Sequence, residues 1–162
     1  MTDVSDSSLS RAPSAGEAMR AARESVLVVR LADRAGIRLR GKERTSWLNG
    51  LVTCDLAKLG ERDAAYGLLV EKKGRIQTDF FVVQGKDDLV LAVPANLREQ
   101  LQETLDHYLI MEDVEIEPAD VAFWQLHGPS SAQVLEAIGS EASGVRQGGQ
   151  LDGHADHRAF AV

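Results

Sequence analysis

Residues 65–93 read AYGLLVEKKGRIQTDFFVVQGKDDLVLAV, and this stretch decides the fold. Three segments rich in aliphatic, β-branched and aromatic residues, at 65–70, 75–83 and 89–93, are separated by two polar turns that each contain a glycine. Segments of this composition favour strands, and short glycine-containing turns between them are typical of hairpins. The sequence therefore predicts a three-stranded antiparallel meander.

Helices and further strands are predicted on both sides of the meander from apolar spacing and from turn residues. The predicted helices cover 15–24, 42–51, 97–109 and 130–138. The additional strands cover 26–31, 37–39, 114–116 and 121–126, with the first two around a turn. Pro94 is suited to end a strand and begin a helix, because it lacks an amide donor. Since the elements do not follow a strict β–α–β rhythm, the expected class is α+β, an antiparallel or mixed sheet with packed helices.

Three parts are expected along the chain. Residues 1–24 form a polar tail followed by a short helix with a thin apolar face, and residues 25–138 form the folded domain. Residues 139–162 are rich in glycine and polar side chains, without a long apolar repeat, and are therefore a weakly defined segment. Nothing there marks the natural end of a domain, which leaves open that the chain is truncated.

The charge of the chain argues against nucleic acid as a partner. There are 18 basic and 25 acidic residues, a formal net charge of −7, which repels phosphate backbones. The densest basic cluster contains Arg34, Arg38, Arg40, Lys42 and Arg44. It could contact an anionic ligand, but a solvated face is the simpler interpretation.

A cytoplasmic location without membrane association is expected. Cys54 is the one cysteine, so no internal disulfide can form, which fits a reducing compartment. No apolar run approaches the roughly 20 residues of a membrane-spanning helix, and the N-terminus lacks a signal pattern. We interpret Cys54 as a packed or loop thiol rather than a reactive one.

The strand predicted at 75–83 carries the most informative polar residue. Alternation places Gln77, Asp79, Phe81 and Val83 on one face, so Asp79 lies beside apolar neighbours. A carboxylate there is costly to bury unless it is paired, so Asp79 either serves a function or is a half-exposed sheet residue. Tyr66 lies across the hairpin and offers a flat ring with a polar tip, which suits a planar heterocycle, although a core role is the alternative.

Several motifs in order resemble the folate-binding family that includes the glycine-cleavage T-protein and its YgfZ-like relatives. The similar motifs are LADR at 31–34, GIRLRG at 36–41, WLNGLVTCD at 47–55, YGLLV at 66–70, KGRIQTDF at 73–80 and LHGP at 126–129. The resemblance spans residues 27–138 and implies the N-terminal part of the T-protein fold. It also implies tetrahydrofolate or a folate derivative as cofactor, bound by Tyr66, Asp79 and Phe81, with Asp79 as the catalytic candidate.

Two departures from the T-protein pattern bear on the reaction. Aminomethyl-transferring T-proteins usually have two adjacent aspartates where this chain has Thr78 and Asp79, and an asparagine where it has Pro94. Both departures resemble the YgfZ-like branch, which implies a role in iron–sulfur protein maturation or repair, with iron–sulfur client or assembly proteins as partners. That branch's lysine-glycine-cysteine segment is not among these residues, and neither are the downstream acid and arginine of the pterin site. An aminomethyltransferase and an inactive fragment remain the alternatives.

Other polar groups carry weaker functional signals. The segment DGHADH at 152–157 contains metal-ligating residue types, but its glycine-rich setting favours a solvated tail. His107 is isolated, and His127 precedes a glycine-proline turn, where a structural role is simpler. The sequence has no glycine-rich nucleotide loop with its lysine, no nucleophile elbow and no paired CxxC.

Overall fold

The computed structural model describes residues 12–61, 63–71 and 73–137, together with the backbone of 150–153 and 157–161. Within these residues the α-helices are α1 (Ala15–Glu24), α2 (Arg44–Asn49), α3 (Arg98–Tyr108) and α4 (Ser131–Ala137). The strands are β1 (Leu27–Arg30), β2 (Arg34–Arg40), β3 (Ala64–Val70), β4 (Ile76–Gln84), β5 (Leu89–Pro94), β6 (Glu115–Ala119), β7 (Ala122–His127), β8 (Gln150–Gly153) and β9 (His157–Ala161). The α+β class predicted from the sequence is confirmed.

The predicted meander is present as β3, β4 and β5, each antiparallel to the next. The hairpin between β3 and β4 turns at Gly74, whose φ of 75° lies in the left-handed region that glycine adopts without a steric penalty. The third strand ends at Pro94, and a short 3₁₀ turn, Ala95–Leu97, leads directly into α3. Proline therefore ends the strand and precedes the helix, as its missing amide donor predicts.

The meander is the larger part of a five-stranded sheet with the order β3-β4-β5-β2-β6. One face, which we call the core face, carries Phe80, Ile37 and Leu91 against the buried leucines Leu101 and Leu105 of α3. These two leucines are four residues apart and lie on the same side of the helix, so the predicted amphipathic helix is confirmed. The opposite face of the sheet is the site face.

A second sheet has the order β1-β7-β9-β8, and it covers part of the site face. Phe123 of β7 is 1% exposed and packs in a cluster with Val83, Val90 and Ala92. The segments β1 and β2 flank a turn but belong to different sheets, because β1 pairs with β7 while β2 pairs with β5 and β6. Among the residues that the structure describes, the part of the site face around Tyr66 lies outside this cover.

The C-terminal strands were not predicted from the sequence. β8 and β9 pair with each other, and β9 runs parallel to β7. The expectation of a tail at 152–157 is therefore wrong for Asp152, Gly153 and His157, whose backbone lies in these strands. Residues 154–156 and all side chains of this segment lie outside the described residues, so its interpretation as metal ligands or solvated groups stays untested.

Candidate functional site

Strand β4 divides its side chains between the two faces of the five-stranded sheet. Thr78 and Phe80 are buried on the core face, at 6% and 1% exposure, whereas Asp79 and Phe81 are partly exposed on the site face. This is the alternation that the sequence predicts for a strand. Asp79 and Phe81 are therefore neighbours on one surface of the sheet.

Tyr66 extends this surface onto the edge strand β3. It is the cross-strand partner of Phe81, and the two ring centroids are 5.3 Å apart with the ring planes tilted by 58°. Tilted pairs at this distance are favourable because the edge of one ring meets the face of the other. Tyr66 is nevertheless 55% exposed, so the alternative that it is a core residue is wrong. Within the described part of the chain, more than half of the Tyr66 side chain is therefore accessible for contact with a ligand.

Asp79 is paired with Arg34, a residue that the sequence analysis did not assign to the site. Nη2 of Arg34 lies 2.9 Å from Oδ2 of Asp79, and Nη1 lies 3.4 Å from Oδ1, a two-pronged arrangement. The side chains are 16% and 33% exposed for Arg34 and Asp79 respectively. The carboxylate beside apolar neighbours is thus paired with a guanidinium, which offsets part of the cost of its partial burial.

The sheet order brings Arg34 to Asp79 across strand β5. In the sheet register, Arg34 of β2 lies opposite Pro94 of β5, and Phe81 of β4 lies opposite Ala92 of β5. Pro94 and Ala92 therefore lie between the strand that carries Arg34 and the strand that carries Asp79. Alanine and proline side chains are short, which leaves room for the arginine to reach across them. The guanidinium carbon also lies 5.9 Å from the centroid of the Phe81 ring, within the range of a cation–π contact.

The four residues Tyr66, Phe81, Asp79 and Arg34 form what we call the candidate wall. It combines two aromatic rings with a carboxylate that accepts hydrogen bonds and a guanidinium that donates them. Such a surface suits a flat ligand whose edge carries both donors and acceptors. The structure thus brings together Tyr66, Asp79 and Phe81 and adds Arg34.

The basic cluster predicted as a solvated face is largely paired with carboxylates instead. Nε of Arg38 lies 3.0 Å from Oδ2 of Asp88, and Nη1 of Arg40 lies 3.1 Å from Oε1 of Glu117. Arg38 is 23% exposed, so the solvated interpretation is wrong for it as well as for Arg34. The reason is that these alternate residues of β2 lie on the site face, within reach of Asp79 on β4, Asp88 in the turn before β5 and Glu117 on β6. A two-residue spacing of arginines on a strand is the signal that could have indicated this.

Cys54 is a packed thiol, as predicted. It lies beside the core, and burial raises the pKa of its thiol. A Cβ atom added to Gly67 would lie 2.6 Å from the Cys54 sulfur, which explains why β3 carries a glycine at that position. A thiol held protonated and half-buried is a poor nucleophile.

Other classes of site receive no support from the described part of the chain. No group of three or more histidine, cysteine, aspartate or glutamate side chains could hold a metal ion within the described residues. None of the helices described there is long and apolar enough to cross a membrane. His127 lies at the end of β7 with Nε2 3.3 Å from Oε1 of Gln125, and Gly128 follows with a φ of 128°. This geometry is consistent with a structural turn.

Comparison with known proteins adds a family and a fold. A family model described as the GCVT N-terminal domain matches residues 8–147. The chain is 24% identical over 121 residues to the tRNA-modifying protein YgfZ of Vibrio atlanticus, an alignment covering 75% of this chain and 38% of that protein. It is 28% identical over 126 residues to an aminomethyltransferase of Prochlorococcus marinus, covering 73% of this chain and 34% of the relative.

A solved structure agrees with these sequence matches. Glycine cleavage system aminomethyltransferase T from Bartonella henselae superposes with a TM-score of 0.68 at 16% identity. The superposition covers 81% of this chain and 37% of that one. The likeness shows the fold, and in all three comparisons this chain spans little more than a third of the other protein.

Proposed function

Because this chain belongs to the GCVT N-terminal domain family, we propose that it binds tetrahydrofolate on the candidate wall and acts in iron–sulfur protein maturation or repair, as a YgfZ-like protein. The observation that carries the binding proposal is the grouping of Tyr66, Phe81 and the Asp79–Arg34 pair on one partly open face. Members of the T-protein family bind tetrahydrofolate. The ligand, the partners and the location in the cytoplasm are parts of the same proposal.

The side chains of the wall fit a reduced pterin. A pterin is flat, which suits the exposed ring of Tyr66 and the adjacent ring of Phe81. Its edge carries amino and amide donors next to a carbonyl acceptor, which suits the carboxylate of Asp79 and the guanidinium of Arg34. When bound, tetrahydrofolate would supply one-carbon chemistry. The residues of this chain would hold and orient it, and Asp79 could accept a proton or a hydrogen bond.

The iron–sulfur part of the proposal rests on the two departures from the T-protein pattern. Pro94 lies level with Arg34 on the site face, so the asparagine usual in T-proteins is replaced by a ring without a hydrogen-bonding group. Thr78 faces the core at 6% exposure, and its hydroxyl donates to the backbone carbonyl of Asp79. The wall therefore offers one carboxylate, Asp79, and no side-chain amide at the Pro94 position.

The first test is calorimetric titration with tetrahydrofolate under anaerobic, reducing conditions. We expect saturable binding that is weakened about 5- to 150-fold by Tyr66→Ala, because base–aromatic stacking of this kind is worth roughly 1–3 kcal/mol per ring. Ile76→Ala is a matched control, because Ile76 also has a large, exposed side chain, at 59%, and lies on β4 outside the wall. Absence of saturable binding would favour the inactive fragment.

The role in cells is tested by expressing the chain in bacteria that lack their YgfZ-like protein. Restored activity of an iron–sulfur enzyme, lost with Asp79→Asn at equal protein level, is the expected result. Activity that stays at the level of the empty vector, while the purified chain binds tetrahydrofolate, would refute the iron–sulfur role and leave the binding proposal standing.

An aminomethyltransferase is the second candidate, favoured by the 28% identity to the Prochlorococcus marinus relative. In that case Asp79 would assist proton movement as the carbon passes from a lipoyl arm to tetrahydrofolate. Tetrahydrofolate-dependent release of ammonia from an aminomethyl-lipoyl donor would establish this activity. The same result would overturn the YgfZ-like proposal.

A further inference from the structure

We propose that Arg34 determines which heterocycle the wall accepts, selecting rings with an N–H donor beside a carbonyl over analogues with an amino group in place of that carbonyl. This inference rests on the proposed function, since it concerns the ligand of the same wall. The observation behind it is that Asp79 forms an ion pair on the site face, with Nη2 of Arg34 2.9 Å from its Oδ2.

The pair leaves hydrogen-bonding capacity on both partners. Two nitrogens of Arg34 point to the two carboxylate oxygens of Asp79, and a guanidinium has further N–H groups beyond these. Each carboxylate oxygen can accept more than one hydrogen bond. With 16% and 33% of the two side chains exposed, the edge of the pair reaches the open surface. A ligand would meet an acceptor and a donor next to each other.

The charge of the pair sharpens this preference. An isolated carboxylate binds a protonated heterocycle well, because an ion pair forms. Here the guanidinium already compensates the charge of Asp79, so a cationic ligand gains little from the carboxylate and is repelled by Arg34. A neutral ring with a donor next to an acceptor matches the pair, whereas an amino group facing the guanidinium sets donor against donor. Unmatched donors at a partly desolvated site reduce affinity strongly.

The position of Arg34 is fixed by the sheet rather than by a flexible loop. It is the first residue of β2, level with Pro94, and its guanidinium lies 5.9 Å from the Phe81 ring centroid. The neighbouring site-face position on β2 is Gly36, where a Cβ would lie 2.7 Å from the carbonyl oxygen of Ala119. No side chain at that position can crowd the arginine. A residue held in this way can discriminate between ligands that differ by a single polar group.

The experiment compares the affinities of tetrahydrofolate and 4-amino-4-deoxytetrahydrofolate by anaerobic titration calorimetry. For the unmodified chain we expect tetrahydrofolate to bind at least about tenfold more tightly, the effect of one hydrogen bond to a charged group. Arg34→Met should abolish or reverse this preference, because Asp79 is then an isolated carboxylate. A merely structural role would weaken both ligands and leave their ratio unchanged.

Two further variants complete the test. Arg40→Met is the matched control, because Arg40 lies on the same strand and face but pairs with Glu117, so the ratio should stay at the unmodified value. Arg34→Gln removes the charge and carries an amide that can present either a donor or an acceptor, so it should also reduce the preference, and it carries the test if circular dichroism shows that Arg34→Met is unfolded. An unchanged ratio in a folded Arg34 variant, or equal binding of both ligands by the unmodified chain, overturns the inference alone. No binding of tetrahydrofolate by the unmodified chain overturns the proposed function as well.

Discussion

The Arg34–Asp79 ion pair should contribute measurably to the stability of the fold, apart from any role in binding. Exposed pairs contribute about 0.2–1 kcal/mol, while truncating one partner of a fully buried pair costs about 3–5 kcal/mol. Arg34 is 16% and Asp79 33% exposed, so the pair lies between these limits. We expect a coupling free energy of about 1–2 kcal/mol, because water still screens the outer edge of the carboxylate.

The measurement is a double-mutant cycle in urea with Arg34→Met, Asp79→Asn and the double variant. Methionine keeps an unbranched apolar stem near Phe81, and asparagine keeps the shape of aspartate, so the cycle isolates the charges. Each single variant should be destabilised, and the double variant should be less destabilised than the sum of the two. The control cycle is Lys58→Met with Asp55→Asn, a pair at 2.7 Å whose side chains are 82% and 48% exposed.

The control cycle should show no coupling in 1 M salt, whereas most of the Arg34–Asp79 coupling should persist, because partly buried pairs are screened less. Additivity of Arg34→Met and Asp79→Asn within about 0.3 kcal/mol would refute the idea that the pair is energetically linked. It would also remove the basis for treating the two residues as one unit on the wall.

Three other predictions concern residues outside the wall. Gly67→Ala should lower the free energy of unfolding by about 1–3 kcal/mol, because the new Cβ would lie 2.6 Å from the Cys54 sulfur. In urea titrations, adding Cys54→Ala to the Gly67→Ala variant should recover part of the loss. Equal stability of all variants would contradict this explanation. Cys54 should react with a thiol reagent at pH 8 much more slowly in the folded chain than in urea, because burial raises the pKa of the thiol; equal rates would contradict it. Hydrogen bonds from the hydroxyl and backbone of Ser14 lower the pKa of Glu17, so their support of α1 is present at neutral pH and is lost as the pH falls through the lowered pKa. An NMR titration of Glu17 should show its pKa rising in Ser14→Ala, and an unchanged pKa would rule out the capping contact.

Local patterns predicted the meander well, because its strands and turns are adjacent in the sequence. Alternation along β4 separates Thr78 and Phe80 from Asp79 and Phe81, which is the division found in the structure. The cross-strand contact of Tyr66 with Phe81 follows from one tight hairpin. For the same reason, Tyr66 and Asp79 could be named as candidates from the sequence pattern, whereas the family resemblance supplied Phe81 and the expected ligand.

Non-local pairing explains what the sequence did not reveal. Arg34 and Asp79 are 45 residues apart, and they meet only because β2 inserts between β5 and β6. The separation of β1 and β2 into two sheets also depends on partners far along the chain, at β7 and β5. The short strands β8 and β9 lie in a glycine-rich, polar context whose composition favours no regular element.

The most direct test of the central claim is to map tetrahydrofolate binding on the ¹⁵N-labelled chain by NMR. Binding at the candidate wall predicts saturable chemical-shift changes centred on the amides of Tyr66, Asp79 and Phe81. The amides of Leu101 and Leu105, behind the core face, should change little. The absence of saturable shifts, or shifts centred on α3 instead of β3 and β4, would contradict the assignment of the site.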